Sequence, residues 1–190
     1  SLLRYPIVAK PNYGGGSNGI GSQNIKYTFE EAAAFVKQLQ QYQRQPILVE
    51  EYIPGIEVEV IIFGNQKRVL LYDEIQLIIN GKNYFTDSLF DLEVKKIEED
   101  AVRFVSGIFI SDIEKKKMIQ LFQSFQKVEI MRIDCRILNG HAYVIELSPD
   151  CYLGKDGGVY SAFQQKGFSF SEMFNLLISN SITPDDLYEV

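Results

Sequence analysis

The chain has no tryptophan, a single histidine (His141) and two cysteines, Cys135 and Cys151. One histidine in a turn-like stretch leaves little room for a His-based catalytic triad or a zinc site. The cysteines are far from forming a Cys-x-x-Cys pair, so neither a disulfide framework nor a thiolate metal cluster is implied. A reducing compartment, the cytoplasm, is the expectation. Positive charge is scarce too: 19 Lys and Arg stand against 25 Asp and Glu, for a net charge of -6. That balance argues against nucleic acid as a partner, and Lys115-Lys116-Lys117 reads as the solvated face of a helix. No apolar run approaches the ~20 residues needed to cross a bilayer, and no signal-peptide pattern is found, so no membrane partner is expected.

What is present suffices for a folded protein. With 190 residues and 46% hydrophobic content, the chain can bury one substantial core or two smaller lobes. The opening SLLRYPIVAKP enters a strand almost at once without an initiator Met, so an upstream domain is expected to be missing.

The most informative stretch is MRIDCRILNGHAYVIELSPD, Met131 to Asp150, which reads as two strands joined at Asn139-Gly140. Odd positions Met131, Ile133, Cys135, Ile137, Tyr143, Ile145 and Leu147 are apolar, and even positions Arg132, Asp134, Arg136, Glu146 and Ser148 are polar. Each strand therefore has a dry and a wet face. A two-residue turn would set odd residues opposite even ones, so a three-residue connection with Gly140 at positive φ is expected, pairing Ile137 with His141. Arg132 then lies roughly opposite Glu146, with Asp134 and Ser148 on the same face. Such a face suits a divalent cation and phosphate, or equally a solvated surface with a structural ion pair.

Upstream, Ile7 to Lys10 reads as a strand closed by Pro11, followed by the loop NYGGGSNGIGSQN. Its glycines mimic G-x-G-x-x-G, but Ile25 to Phe29 looks like another strand where a dinucleotide fingerprint requires a helix. No Lys follows as in a P-loop. A flexible flap whose backbone N–H groups can close over phosphates remains, beside the plainer reading of a surface loop. A helix is expected from Glu30 to Tyr42, capped near Thr28, with Ala32, Phe35, Val36 and Leu39 as its apolar stripe. Strands are expected over Ile47 to Tyr52, Glu57 to Phe63 and Arg68 to Ile79, with weak strand character over Tyr84 to Val94. A second helix spans Ser111 to Phe125, with Ile113, Met118, Ile119, Leu121 and Phe122 toward the core. Shorter helices follow near Val159 to Lys166 and Ser171 to Ser179. Strands joined by turns rather than by βα crossovers make the class α+β with antiparallel sheets.

Three stretches in this order, PIVAKPNYGGGSNGIG, VEEYIPGIEVEV and MRID followed by VIELSP, resemble the ATP-grasp fold, most closely the C-terminal portion of the D-alanine–D-alanine ligase family. The likeness runs from Pro6 to the last helix, where GFSFSEMFNLLI looks like the family's closing segment. It implies two α+β lobes clamping ATP: residues 1–50 as a small lobe with the flap and 51–190 as a large lobe with the metal site. Lys10 and the flap residues Gly15, Gly16 and Ser17 would meet the phosphates. The extended backbone of Glu50, Glu51, Tyr52 and Ile53 would serve the adenine edge, and Glu57 the ribose hydroxyls. Asp134, Glu146 and Ser148 would ligate Mg²⁺ (or Mn²⁺). Arg132 would be the catalytic residue, stabilising an acyl phosphate and the tetrahedral intermediate that follows.

The resemblance thus implies an ATP-dependent ligase that joins a small carboxylate to an amine, amino acids foremost, with a homodimer allowed for the full-length protein. Departures point to an alternative, a nucleotide-binding module with weakened or lost catalysis. Ser148 stands where the family usually has Asn, with Asp150 a substitute ligand. No lysine occurs in YFTDSLFD, where the family places a second phosphate contact; Lys82, Lys95 and Lys96 serve only under a shifted alignment. An N-terminal substrate domain is expected to be absent. Substrate identity is not legible in the loop Cys151 to Ser161.

Overall fold

The computed structural model of the protein describes residues 3–13, 19–89 and 102–182. By its contacts the chain divides into two compact units, Ser1–Gly55 with Ile79–Val102, and Ile56–Ile78 with Arg103–Val190. The described residues 79–89 thus go with the first unit.

The first unit holds a three-stranded sheet of β1 (Ile7–Pro11), β2 (Ile25–Lys26) and β3 (Ile47–Glu51), in the order β2-β1-β3. Alternation decides its faces. Ile7 and Ala9 pack with Ala32 of α1 (Phe29–Gln43), while Val8 turns to the other side against Ile25 and Tyr52. Helix α1 starts where expected, because the Thr28 hydroxyl accepts the Glu31 N–H at 3.2 Å and Glu31 accepts the Tyr27 N–H at 3.0 Å. The first is an N-cap bond, and the second takes up the N–H one residue before the cap. The strand expected over Ile25 to Phe29 is only two residues long, since Thr28 already caps the helix. Among residues 84–89 the expected weak strand is reduced to an isolated bridge of Gly55 with Phe85; the rest of that stretch lies outside the described residues.

The second unit is built on a five-stranded sheet in the order β6-β5-β4-β7-β8. Its strands are β4 (Ile56–Gly64), β5 (Val69–Ile79), β6 (Val102–Gly107), β7 (Ile130–Leu138) and β8 (His141–Ser148). Strand β6 was not expected; RFVSGIFI lacks the clean alternation of β7. One sheet face, with Val58, Val60, Ile62, Met131, Ile133 and Cys135, packs on Met118 and Phe122 of α2 (Asp112–Ser124). Ile113 was expected on that inner stripe but is 70% exposed, because it lies in the first turn, before α2 settles on the sheet. On the opposite face, Ile61, Phe63, Leu71 and Ile75 pack against α3 (Gly158–Gln165) and α4 (Phe170–Ile182). Buried Glu74 accepts the amides of Phe109 and Ile110 at 2.5 and 3.0 Å, which ties the chain entering α2 to β5.

The turn of the β7–β8 hairpin differs from expectation. Leu138 pairs with His141, so the connection has two residues, Asn139 at φ 53° and Gly140 at φ 77°. Positive φ at both central positions is the turn that matches strand twist, and it wins over the three-residue loop. The parity conflict this creates is removed further along. Cys135 pairs with Val144, but Asp134 pairs with Glu146, leaving Ile145 as the extra residue of a β-bulge. Beyond the bulge Ile133 lies opposite Leu147 and Arg132 opposite Ser148, rather than opposite Glu146. Tyr143 and Ile145, expected on the dry face, are 39% and 38% exposed, as suits a bulged strand at the edge of the sheet. No helix among the described residues is long and apolar enough to cross a membrane.

Candidate functional site

Strand register gathers the polar residues of the second unit. Asp134 on β7 has Glu146 across from it on β8 and Glu59 across from it on β4. In the next row towards Ser148, Arg132 lies between Ile61 and Ser148; in the row on the other side, Arg136 lies between Glu57 and Tyr143. Directly opposed residues share a sheet face, so the carboxylates of Glu57, Glu59, Asp134 and Glu146 and both guanidinium groups lie on one side.

Arg132 grips Asp134 with both prongs: Nε donates to Oδ1 at 2.7 Å and Nη2 to Oδ2 at 2.8 Å. Its Nε is also 3.8 Å from Oε1 of Glu59. Burial opposes the guanidinium charge, but Asp134 outweighs it and holds the Arg132 pKa above its ordinary value. One row away Arg136, 3% exposed, donates from Nη2 to Oε2 of Glu57 at 2.8 Å. Glu57 is therefore already engaged by a buried cation. Glu59 and Arg136 had no place in the sequence-based site. Their signal was the alternation of GIEVEV, which puts Glu57 and Glu59 on one face, but only the pairing of β4 with β7 shows which face.

The loop after β8 closes one side of the site. Gly158, first residue of α3, approaches Glu59 so closely that a Cβ there would lie 1.8 Å from Oε2. A carboxylate lodged at a helix N-terminus also gains from the positive end of the helix dipole. Gly158→Ala should force that carboxylate aside and destabilise the protein by about 1–3 kcal/mol, read as a lower urea midpoint; an unchanged midpoint would show that the approach is relieved at no cost. Cys151, in the same loop, has its thiol pushed up to about 11 by burial, against the opposing pull of Arg132. It is a protonated thiol near neutral pH and not an activated nucleophile.

Among the described residues, no group of three or more His, Cys, Asp or Glu side chains converges so as to hold a metal ion. The donors that share this face, Asp134 and Glu146 with the buried hydroxyl residue Ser148 in the adjoining row, are hard oxygens. This set fits Mg²⁺ or Mn²⁺, since Mg²⁺ is commonly held by one or two carboxylates with the remaining ligands from phosphates and water.

In the first unit, Lys10 is ion-paired with Glu50 across the β1–β3 ladder. Glu51 is paired with Arg4 at 2.9 Å, and hydrogen bonds from Arg4 hold its carboxyl below the usual range. The Tyr52 N–H donates to the Pro6 carbonyl at 2.9 Å and its hydroxyl to the Ser88 carbonyl at 3.0 Å, so Tyr52 is committed to the core. Ile53 follows it, half-buried. Gly15, Gly16 and Ser17 lie outside the described residues. The far end of that loop is fixed by buried Asn24, whose Nδ2 donates to the carbonyls of Ala9 at 2.7 Å and Gly19 at 3.0 Å while Oδ1 accepts the Gly21 N–H at 2.8 Å. Asn24 is thus a loop anchor beside Lys10 that sequence reasoning missed.

Residues 1–179 match the family model described as the D-ala D-ala ligase C-terminus. A D-alanine–D-alanine ligase of Geobacillus kaustophilus is 30% identical over 184 residues, which cover 96% of this chain and 44% of that protein. The chain spans about half the length of the curated relatives it matches. Among solved structures, D-alanine–D-alanine ligase from Bacillus anthracis complexed with ATP aligns at TM-score 0.64 and 16% identity, over 94% of this chain and 53% of that one. The ATP-grasp ligase PsnB, complexed with minimal precursor, aligns at TM-score 0.52 and 14% identity, over 92% of this chain and 48% of that one. With its antiparallel sheets and this family match, the chain has the ATP-grasp fold and belongs to the D-ala D-ala ligase C-terminal family.

Proposed function

We propose that this chain is the ATP-using portion of a ligase that joins a carboxylate to an amine. The observation that carries the proposal is the register of β7 with β8: Asp134 faces Glu146, and Arg132 and Ser148 form the adjoining row on the same face. Asp134 and Glu146, with Ser148 in the adjoining row and Asp150 as a substitute from the turn after β8, would hold Mg²⁺ or Mn²⁺, which when bound screens the negative charge of the polyphosphate. Lys10 is assigned to the α- and β-phosphates, exchanging Glu50 for them, with Gly15, Gly16 and Ser17 covering the same groups. The backbone from Glu50 to Ile53 is assigned to the adenine edge. Glu57, ion-paired with Arg136, is assigned to the ribose hydroxyls.

The chemistry needs no side-chain nucleophile. A substrate carboxylate oxygen attacks the γ-phosphorus of ATP and ADP departs. An amine then attacks the acyl carbon, phosphate leaves with the bonding pair of the C–O bond, and the nitrogen gives up a proton that the departing phosphate or water takes. Arg132 neutralises charge on the acyl phosphate and on the tetrahedral intermediate, the part a guanidinium plays best where water is scarce. Relatives named D-alanine–D-alanine ligase support amino acids as the substrate class.

The test has two stages. ATP with Mg²⁺ at a hundred times Kd should stabilise this chain by about 2.7 kcal/mol, seen as a Tm raised by several degrees. The full-length protein, given ATP, Mg²⁺ and a panel of amino acids, should then release phosphate in an amine-dependent way. No Tm shift sinks nucleotide binding, and no phosphate release with any amine sinks the ligase. One feature favours a second reading, binding with weakened catalysis: the hydroxyl of Ser148 is a poorer cation ligand than the amide carbonyl of Asn. Activity that appears only in Ser148→Asn would support that reading; robust turnover in the wild type would eliminate it.

A further inference from the structure

We infer that Glu59 is a positioning residue for Arg132: the carboxylate that takes the guanidinium when a divalent cation takes Asp134. The inference rests on the cation reading above. In this structure Arg132 engages both oxygens of Asp134, at 2.7 and 2.8 Å. A cation arriving at Asp134 competes for those same lone pairs and brings like charge beside the guanidinium. Charge-assisted bidentate pairs are strong, so the arginine yields only if a second anion is at hand.

Glu59 meets each requirement of that second anion. It flanks Asp134 on the strand opposite the one bearing Glu146. Its Oε1 is 3.8 Å from Nε of Arg132, less than 1 Å beyond a hydrogen bond of about 3.0 Å. It is also stationary: Glu59 is 7% exposed and its Oε2 lies against Gly158 at the start of α3. The guanidinium therefore does the moving, over a short arc, and remains on the face where phosphate chemistry is proposed. Formal charge agrees. Glu59, Asp134, Glu146 and Arg132 leave an excess of two negative charges, which one divalent cation neutralises.

Mn²⁺ alone, titrated while its free EPR signal is followed, tests this on the whole chain. Glu59→Gln should weaken Mn²⁺ binding by about tenfold, the lower end of what loss of a supporting partner does at metal sites. Glu59→Asp keeps the charge but withdraws it from Arg132, so it should weaken binding nearly as much. In an Arg132→Met background neither change at Glu59 should matter by more than about threefold. Thermal melts of each variant establish that it is folded before its titration is read. Glu59→Asp binding like wild type, or Glu59→Gln weakening binding equally with and without Arg132, reduces Glu59 to a background charge and overturns the inference. Binding that survives Asp134→Asn overturns the cation reading itself, and the role of Glu59 with it.

Discussion

Asp134→Asn is expected to cut ATP- and Mg²⁺-dependent phosphate release by the full-length protein a hundredfold or more, while the protein stays folded. Asparagine has the shape of aspartate but no charge. The proposed cation loses one of the two carboxylates that face each other across β7 and β8. Arg132 is disturbed as well, since it now binds both Asp134 oxygens and an amide offers it only one acceptor. Removing one charge-stabilising group from a water-excluded site typically costs about 10²–10³ in rate, and here two such contributions fail together. Stability should fall by only about 1–3 kcal/mol, the cost of one imperfectly satisfied polar group, because Glu59 remains within reach of Arg132. Phosphate release at the wild-type rate would remove Asp134 from the site.

Arg136→Met should produce the largest loss of stability, about 3–5 kcal/mol, because it breaks one side of a buried ion pair and leaves the other charge behind. Arg136 is 3% exposed and Glu57, its partner at 2.8 Å, is mostly buried. The pair also bridges β4 and β7 at the centre of the sheet, where a solvent-exposed pair would be worth far less. Urea unfolding reads the effect as a lower midpoint at constant slope. The double variant Glu57→Leu/Arg136→Met should recover most of the loss, since apolar side chains of similar size often replace a buried pair at little cost. A midpoint within experimental error of wild type for Arg136→Met alone would show that the pair is not what holds these strands in register.

Local rules carried the sequence a long way. Strand β7 buries Met131, Ile133, Cys135 and Ile137 as its alternation requires, and Thr28 and Ser111 cap α1 and α2 as their positions before helical stripes suggest. Asp134 and Glu146 share a face, as the alternation of each strand suggests, but only because the bulge at Ile145 offsets the two-residue turn. The failures fall where non-local structure decides. Nothing between Ala142 and Leu147 announces a bulge, and nothing in AYVIEL tells an edge strand from a covered one. The pairs Arg136–Glu57 and Arg132–Glu59 join residues more than seventy positions apart, brought together by the pairing of β4 with β7. Lys10 was given to phosphate without its neighbour on β3; Glu50 holds it in this structure, and any anion must displace that carboxylate.

The extra residue at Ile145 carries one further consequence. It acts as a phase corrector: the two-residue tip offsets the pairing by one, and the extra residue shifts it back before Asp134. Straightening the bulge with that residue kept would set Ile145 opposite Asp134 and turn Glu146 and Ser148 to the far side of the sheet, with every side chain of the pair intact and the proposed cation cradle gone.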